Sequence, residues 1–190
     1  MAEWNAADQI QGVNMEEKTF KTLYAIDVNS KTEKKGNLTY LSWAWAWAEF
    51  VKVCPDAHYE VKKFGEEQKP YLYDQNLGYM VFTSLTVGND TKEMWLPVMD
   101  QNNKAMKDHP YKYQVRKKNW NTGNVEIVEQ VCEAASMFDI NKTIMRCLTK
   151  NISMFGLGLY IYAGEDLPEE IRDEQKNERW DGLEVNNFKR

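Results

Sequence analysis

The stretch from Asp139 to Gly156 reads Asp-Ile-Asn-Lys-Thr-Ile-Met-Arg-Cys-Leu-Thr-Lys-Asn-Ile-Ser-Met-Phe-Gly, and it constrains the fold more than any other part of the chain. Ile140, Ile144, Leu148, Ile152 and Phe155 recur every three or four residues, which lays them along one face of a helix. Lys142, Arg146 and Lys150 recur every four residues and fall away from that face. Asp139 is the expected N-cap, and Gly156 stands where a helix end often needs a left-handed residue. Such a helix buries one side against a sheet and shows a cationic row elsewhere. The row fits either a bound phosphate chain or a solvated face.

A chain of 190 residues is long enough for one domain with a proper core, plus tails. No apolar run approaches the roughly 20 residues that span a bilayer. The opening Met1-Ala-Glu-Trp-Asn has neither the basic nor the apolar region of a signal peptide. Cys54, Cys132 and Cys147 are odd in number and far apart, so reduced core thiols in a cytoplasmic protein are expected. His58 and His109 lack the close Cys or His partners of a zinc site, and no metal is expected there.

The net charge of −5 conceals a polarity. From Gly164 onward nine acids face five bases, a net of −4, whereas Lys104 to Lys150 holds nine bases against five acids, a net of +4. A basic middle beside an acidic tail is compatible with a nucleic-acid site.

Along the chain, residues 1–20 read as a loosely held arm. Ser42 is the expected cap of a helix through Trp43-Ala-Trp-Ala-Trp-Ala-Glu-Phe-Val-Lys-Val, ended by Pro55-Asp56. Trp43, Trp47, Phe50 and Val51 would share its buried face, with Trp45 directed elsewhere. Strands are expected over 58–64, 79–87 and 91–98, the last two joined through Gly88-Asn89-Asp90. Pro97 marks the end of its strand as an edge or bulge. After a polar loop over 100–110, Tyr111–Lys118 and Val125–Val131 form a second hairpin whose loop holds Trp120 and Gly123. The cationic helix and a glycine-spaced apolar segment, Leu157–Gly164, follow. Helix, strands, two hairpins and helix in that order mean an α+β fold.

Several chemistries are missing from the sequence. There is no Gly-x-x-x-x-Gly-Lys-Ser/Thr phosphate loop, no dinucleotide fingerprint and no Gly-x-Ser-x-Gly. Asp90, Glu93 and Asp100 flank the central hairpin and could hold a divalent metal, or could serve only as turn formers. Positive candidates are clearer. Lys112, Arg116, Lys117 and Lys118 lie among Tyr111, Tyr113 and Trp120, with Lys104 and Lys107 just upstream. Cations track phosphates and rings stack on bases, so this mixture suits single-stranded nucleic acid; lysines guarding an exposed edge hairpin would look similar.

Specific words then carry a resemblance. Tyr40-Leu-Ser-Trp-Ala-Trp-Ala-Trp-Ala, Met94-Trp-Leu-Pro-Val-Met-Asp, Asp139-Ile-Asn-Lys-Thr-Ile-Met-Arg-Cys-Leu-Thr-Lys and Met154-Phe-Gly-Leu-Gly-Leu-Tyr-Ile-Tyr-Ala-Gly-Glu-Asp-Leu-Pro resemble the Sak type of phage single-strand annealing protein. That family is similar to the eukaryotic Rad-fifty-two annealing domain. The resemblance implies an N-terminal helix, an antiparallel sheet of β-hairpins and a long helix packed across it. It also implies single-stranded DNA in a positive groove, and ring or helical-filament homo-oligomers. Aligned on Phe155-Gly156, the eukaryotic cations fall on Thr149, Lys150 and Ser153, of which only Lys150 keeps the charge. The acidic residue usual in the Trp-Ala-x-Ala-Trp motif is replaced by Trp45.

The expected organisation is an arm over 1–35, an annealing core over 36–168 and an acidic tail over 169–190. The expected function is ATP-independent binding and annealing of single-stranded DNA in phage recombination, in the cytoplasm of a bacterial host. Neither catalysis nor a cofactor is required. The expected contacts are Lys142, Arg146, Lys150, Lys112, Arg116, Lys117, Lys118, Lys104, Lys107, Tyr111, Tyr113 and Trp120. Beyond DNA and further copies of itself, a single-strand-binding protein and a phage exonuclease are candidate partners, and a membrane is not. The rival reading is a metal-dependent nuclease or another DNA-processing enzyme.

Overall fold

A computed structural model describes residues 17–35, 38–118 and 123–162. Trp120 and the acidic tail lie outside the described residues. The fold is α+β, with three helices and antiparallel sheets among those residues. Residues 17–24 are helical (α1). A hairpin that the sequence reading did not anticipate follows, Thr32–Lys35 (β1) paired with Leu38–Leu41 (β2). Helix Trp43–Val53 (α2) comes next.

The main sheet contains His58–Val61 (β3), Leu72–Asp74 (β4), Gly78–Val87 (β5) and Asp90–Pro97 (β6). Strand β5 is its spine: β3 and β4 pair with successive lengths of one edge, and β6 pairs along the other. The expected strand over 58–64 stops at Val61, because the chain turns back at Phe64–Lys69 through an isolated bridge. Strand β4 was not anticipated; Leu72-Tyr-Asp is too short for its period to register. A separate hairpin joins Tyr111–Lys118 (β7) to Val125–Cys132 (β8).

Helix Met137–Ser153 (α3) lies across β5 and β6. Its cap is Ser136 rather than Asp139. The Ser136 hydroxyl accepts from the Asp139 amide while the Asp139 carboxylate accepts from the Ser136 amide, a reciprocal capping box. The acid expected at the cap therefore occupies the third helical position.

Two apolar clusters divide α3 between them. Ile140, Ile144 and Cys147 pack with Val81, Val98, Met106 and Cys132. Leu148, Ile152 and Phe155 pack with Leu23, Val28, Leu41, Ala46, Phe50, Leu85 and Leu157. The stripe anticipated from spacing is thus buried throughout. On α2 the buried residues are Ala46 and Phe50; Trp45 packs against this second cluster, while Trp43 is 44% exposed. Trp43 is the first residue of the helix and overhangs the core, so its angular position alone misplaces it.

Gly156 closes the fold. Its φ is +118°, and a Cβ there would meet the Phe20 carbonyl oxygen at 2.7 Å. A side chain would push α1 off the end of α3. Beyond it, a 3-10 turn over Leu159–Tyr162 returns to the segment ahead of the first hairpin, where the Tyr160 hydroxyl accepts from the Val28 amide at 2.9 Å.

Candidate functional site

The cleft that matters lies between β2 and the C-terminal half of α3. It is lined by Thr39, Tyr40 and Leu41 from the first hairpin, by Arg146, Thr149 and Lys150 from α3, and by Tyr162. The Arg146 guanidinium lies 5.0 Å from the centre of the Tyr40 ring, and the Lys150 ammonium 5.2 Å from that of Tyr162. Such contacts are worth about 0.5–1 kcal/mol each where partly exposed, enough to bias where a long cationic side chain rests. Both cations are half-buried. Thr149 is buried, with its hydroxyl donating to the Met145 carbonyl at 2.9 Å, so it lines the cleft with that donor already used.

The helical stripe therefore divides. Lys142, one turn before Arg146, is exposed and donates to the Asp139 carboxylate at 2.9 Å while lying 5.8 Å from the Phe138 ring centre. It does not line the cleft. Burial alone would raise the Asp139 carboxyl, but hydrogen bonds from Ser136 and Lys142 outweigh it and hold the group down to about 2.

A second basic group gathers around the β7–β8 hairpin, apart from the cleft. Lys112, Gln114 and Arg116 share one exposed face with Val125, Ile127 and Val131. The Lys112 ammonium pairs with Glu129 at 2.7 Å. Lys117 lies opposite Glu126 on the other face, and Lys118 is placed only by its register with Val125. Tyr111 and Tyr113 pack on the core, where Lys107 and Lys104 lie 5.2 and 5.0 Å from their ring centres. The Tyr111 hydroxyl donates to the Ala105 carbonyl at 2.8 Å. Burial, reinforced by its bond with Cys132, pushes that phenol up to about 12.

The carboxylates considered for a metal each have local work. Asp90 pairs with Lys92, Glu93 pairs with Lys62 at 2.6 Å, and Asp100 accepts from the Asn102 and Lys104 amides. Among the described residues no three His, Cys, Asp or Glu converge as a metal site. No helix among them is long and apolar enough to cross a membrane.

Sequence reasoning did not single out Thr39 or Tyr162, and it used Tyr40 only as the start of a motif. The Gly36-Asn37 dipeptide, flanked by Thr-Glu-Lys-Lys and Leu-Thr-Tyr-Leu, was the available signal for the hairpin that carries Tyr40.

Fold and cleft together define an α+β protein whose sheet-backed helix presents ring-flanked cations, with no nucleotide-phosphate loop in the sequence. The family model for the Sak single strand annealing protein matches residues 18–189, and the chain belongs to that family. Membership supports a role in annealing single-stranded DNA during recombination. No curated protein and no solved structure matches the chain significantly.

Proposed function

We propose that the protein holds single-stranded DNA along the β2–α3 cleft and anneals it to a complementary strand without ATP, in phage recombination within a bacterial host. The observation that carries this reading is the placement of Arg146 and Lys150 over Tyr40 and Tyr162 in one cleft. A guanidinium offers paired donors to a phosphate, and an ammonium offers a point charge one helical turn further along. Holding the backbone by its phosphates leaves base edges turned outward. Once a strand is kept extended and its charge is offset, pairing is downhill and needs no hydrolysis.

Lys142 extends the row toward the amino end of α3, and the hairpin and loop cations Lys112, Arg116, Lys117, Lys118, Lys104 and Lys107 are outlying candidate contacts. Assembly of several copies into a ring or filament would multiply weak sites along one strand. A single-strand-binding protein and an exonuclease remain candidate partners.

The test is anisotropy of a labelled oligonucleotide across a salt series, with annealing of two labelled complementary strands measured in parallel without nucleotide. Each phosphate contact removed should flatten the log–log salt slope by roughly 0.7. Arg146→Ala with Lys150→Ala should therefore flatten it by about 1.4 and stop annealing. Lys112→Ala, Arg116→Ala and Lys117→Ala together should do less, because Lys112 already faces Glu129 and Lys117 lies opposite Glu126. An unchanged slope and unchanged annealing in the cleft variant, with its melt intact, would refute the assignment.

A further inference from the structure

Among the buried polar residues of α3, Thr143, Thr149 and Ser153 satisfy their hydroxyls on carbonyls of their own helix. Asn151 does something else. It is fully buried, and its side-chain amide nitrogen donates across to the sheet, to the Thr83 carbonyl at 3.1 Å and the Lys92 carbonyl at 3.2 Å. These acceptors sit on the spine strand β5 and on its neighbour β6. One turn earlier, the Cys147 thiol donates to the Met94 carbonyl at 3.3 Å and accepts from the Thr83 hydroxyl at 3.3 Å. The Asn151 side-chain oxygen is buried without a hydrogen-bond partner, a cost an apolar residue would avoid.

A polar group that costs stability in a core calls for a reason. Apolar packing is non-directional, so the stripe of Ile and Leu on α3 tolerates small slides and rotations on the sheet. A buried amide bonded to two fixed carbonyls does not, and fixing register is the best-attested use of such a residue. Arg146 and Lys150 each precede one of the two cross-bonded residues, about 100° around the helix. Turning α3 on the sheet would carry both cations off the rings of Tyr40 and Tyr162.

We infer that Asn151 is a positioning residue, whose amide fixes the rotation and height of α3 on β5 and β6 and thereby holds Arg146 and Lys150 in the cleft. The inference rests on the proposed binding role of those two cations.

Asn151→Leu keeps the branch point and removes the donors. It should melt cooperatively by circular dichroism, yet flatten the oligonucleotide salt slope by at least half of the roughly 1.4 that Arg146→Ala with Lys150→Ala removes. Adding the two alanines to Asn151→Leu should then produce less than their full effect, since both changes act through the same contacts. Thr83→Val removes the hydroxyl's bond to Cys147 and its longer 3.4 Å contact with the Asn151 amide but leaves both carbonyl bonds in place, so it should flatten the slope by less than Asn151→Leu does. A merely structural residue would lower the melting temperature without altering the slope of the folded protein. A folded Asn151→Leu with the wild-type slope overturns the inference. Should Asn151→Leu not melt cooperatively, Asn151→Ala is read in the same way, and failure of both to melt cooperatively makes the residue structural and also counts against it. An unchanged slope in the Arg146, Lys150 variant instead overturns the cleft reading beneath it.

Discussion

The cleft end of α3 and the β7–β8 hairpin are built from the same kinds of residue and arranged in opposite ways. In the cleft half of α3 Leu148 and Ile152 turn inward, and the two cations that line the cleft rest over aromatic rings. On the hairpin, Tyr111, Tyr113 and Cys132 face the core, while Val125 and Ile127 stand 64% and 67% exposed beside Arg116. A helix separates its faces by a period near 3.6 and can bury one stripe completely. A strand alternates, so a hairpin with only one face packed must present its other side chains to whatever lies outside. The difference teaches that a cation gains a fixed place from what backs it, not from how many others stand near it in sequence.

The largest contrast should appear on removing one isoleucine from each region. Ile152 is fully buried and Ile127 is largely exposed. Ile152→Ala should cost about 2–5 kcal/mol in urea unfolding, and Ile127→Ala less than about 0.5 kcal/mol. A cost above about 1 kcal/mol for Ile127→Ala would break the comparison by showing that the outer hairpin face is covered in solution.

The glycines sharpen it at a smaller scale. Gly156 and Gly123 both have positive φ, +118° and +74°. A Cβ at Gly123 meets nothing within 4 Å, whereas one at Gly156 runs into the α1 backbone. Gly123→Ala should cost about 1 kcal/mol of backbone strain alone. Gly156→Ala should cost roughly 2–3 kcal/mol and also weaken oligonucleotide binding, because the chain that leads to Tyr162 is displaced. Equal costs, read from thermal melts, would mean that α1 yields without resistance.

Where periodicity was strong, the fold was legible. The α3 stripe, the β5–β6 pairing around Gly88-Asn89 and the second hairpin all follow from spacing and turn residues. The first hairpin was not read, because Thr32–Leu41 is short, rich in lysine and overshadowed by the tryptophan-rich helix after it. The site was legible only as a row of cations. Sequence spacing put Lys142, Arg146 and Lys150 in one line, but not the ring each rests on, because Tyr40 lies more than 100 residues from Arg146. Nor does spacing reveal that Asn151 reaches the sheet while Thr149 bonds to its own helix. Such partners are set by tertiary contact and leave no periodic trace.

The finest contrast lies within α3, between Lys142 and the two cations beyond it. Lys142 is held by Asp139, whose carboxyl is kept at about 2, below its ordinary 3.8. A carboxyl with a lowered folded value adds stability that is complete above the unfolded value and fades as pH falls toward the folded one. The Asp139 contribution should thus be present at pH 6 and drain away between about 4 and 2. Asp139→Asn should lower stability by roughly 1 kcal/mol at pH 6, since it removes the charge from the first turn and weakens the capping box. The two proteins should converge as urea midpoints are followed into that acid window. The same variant frees Lys142. If Lys142 joins Arg146 and Lys150 on a phosphate chain once its partner is neutral, Asp139→Asn should steepen the oligonucleotide salt slope by up to about 0.7. An unchanged slope would assign Lys142 to the helix terminus alone and confine the DNA track to the cleft.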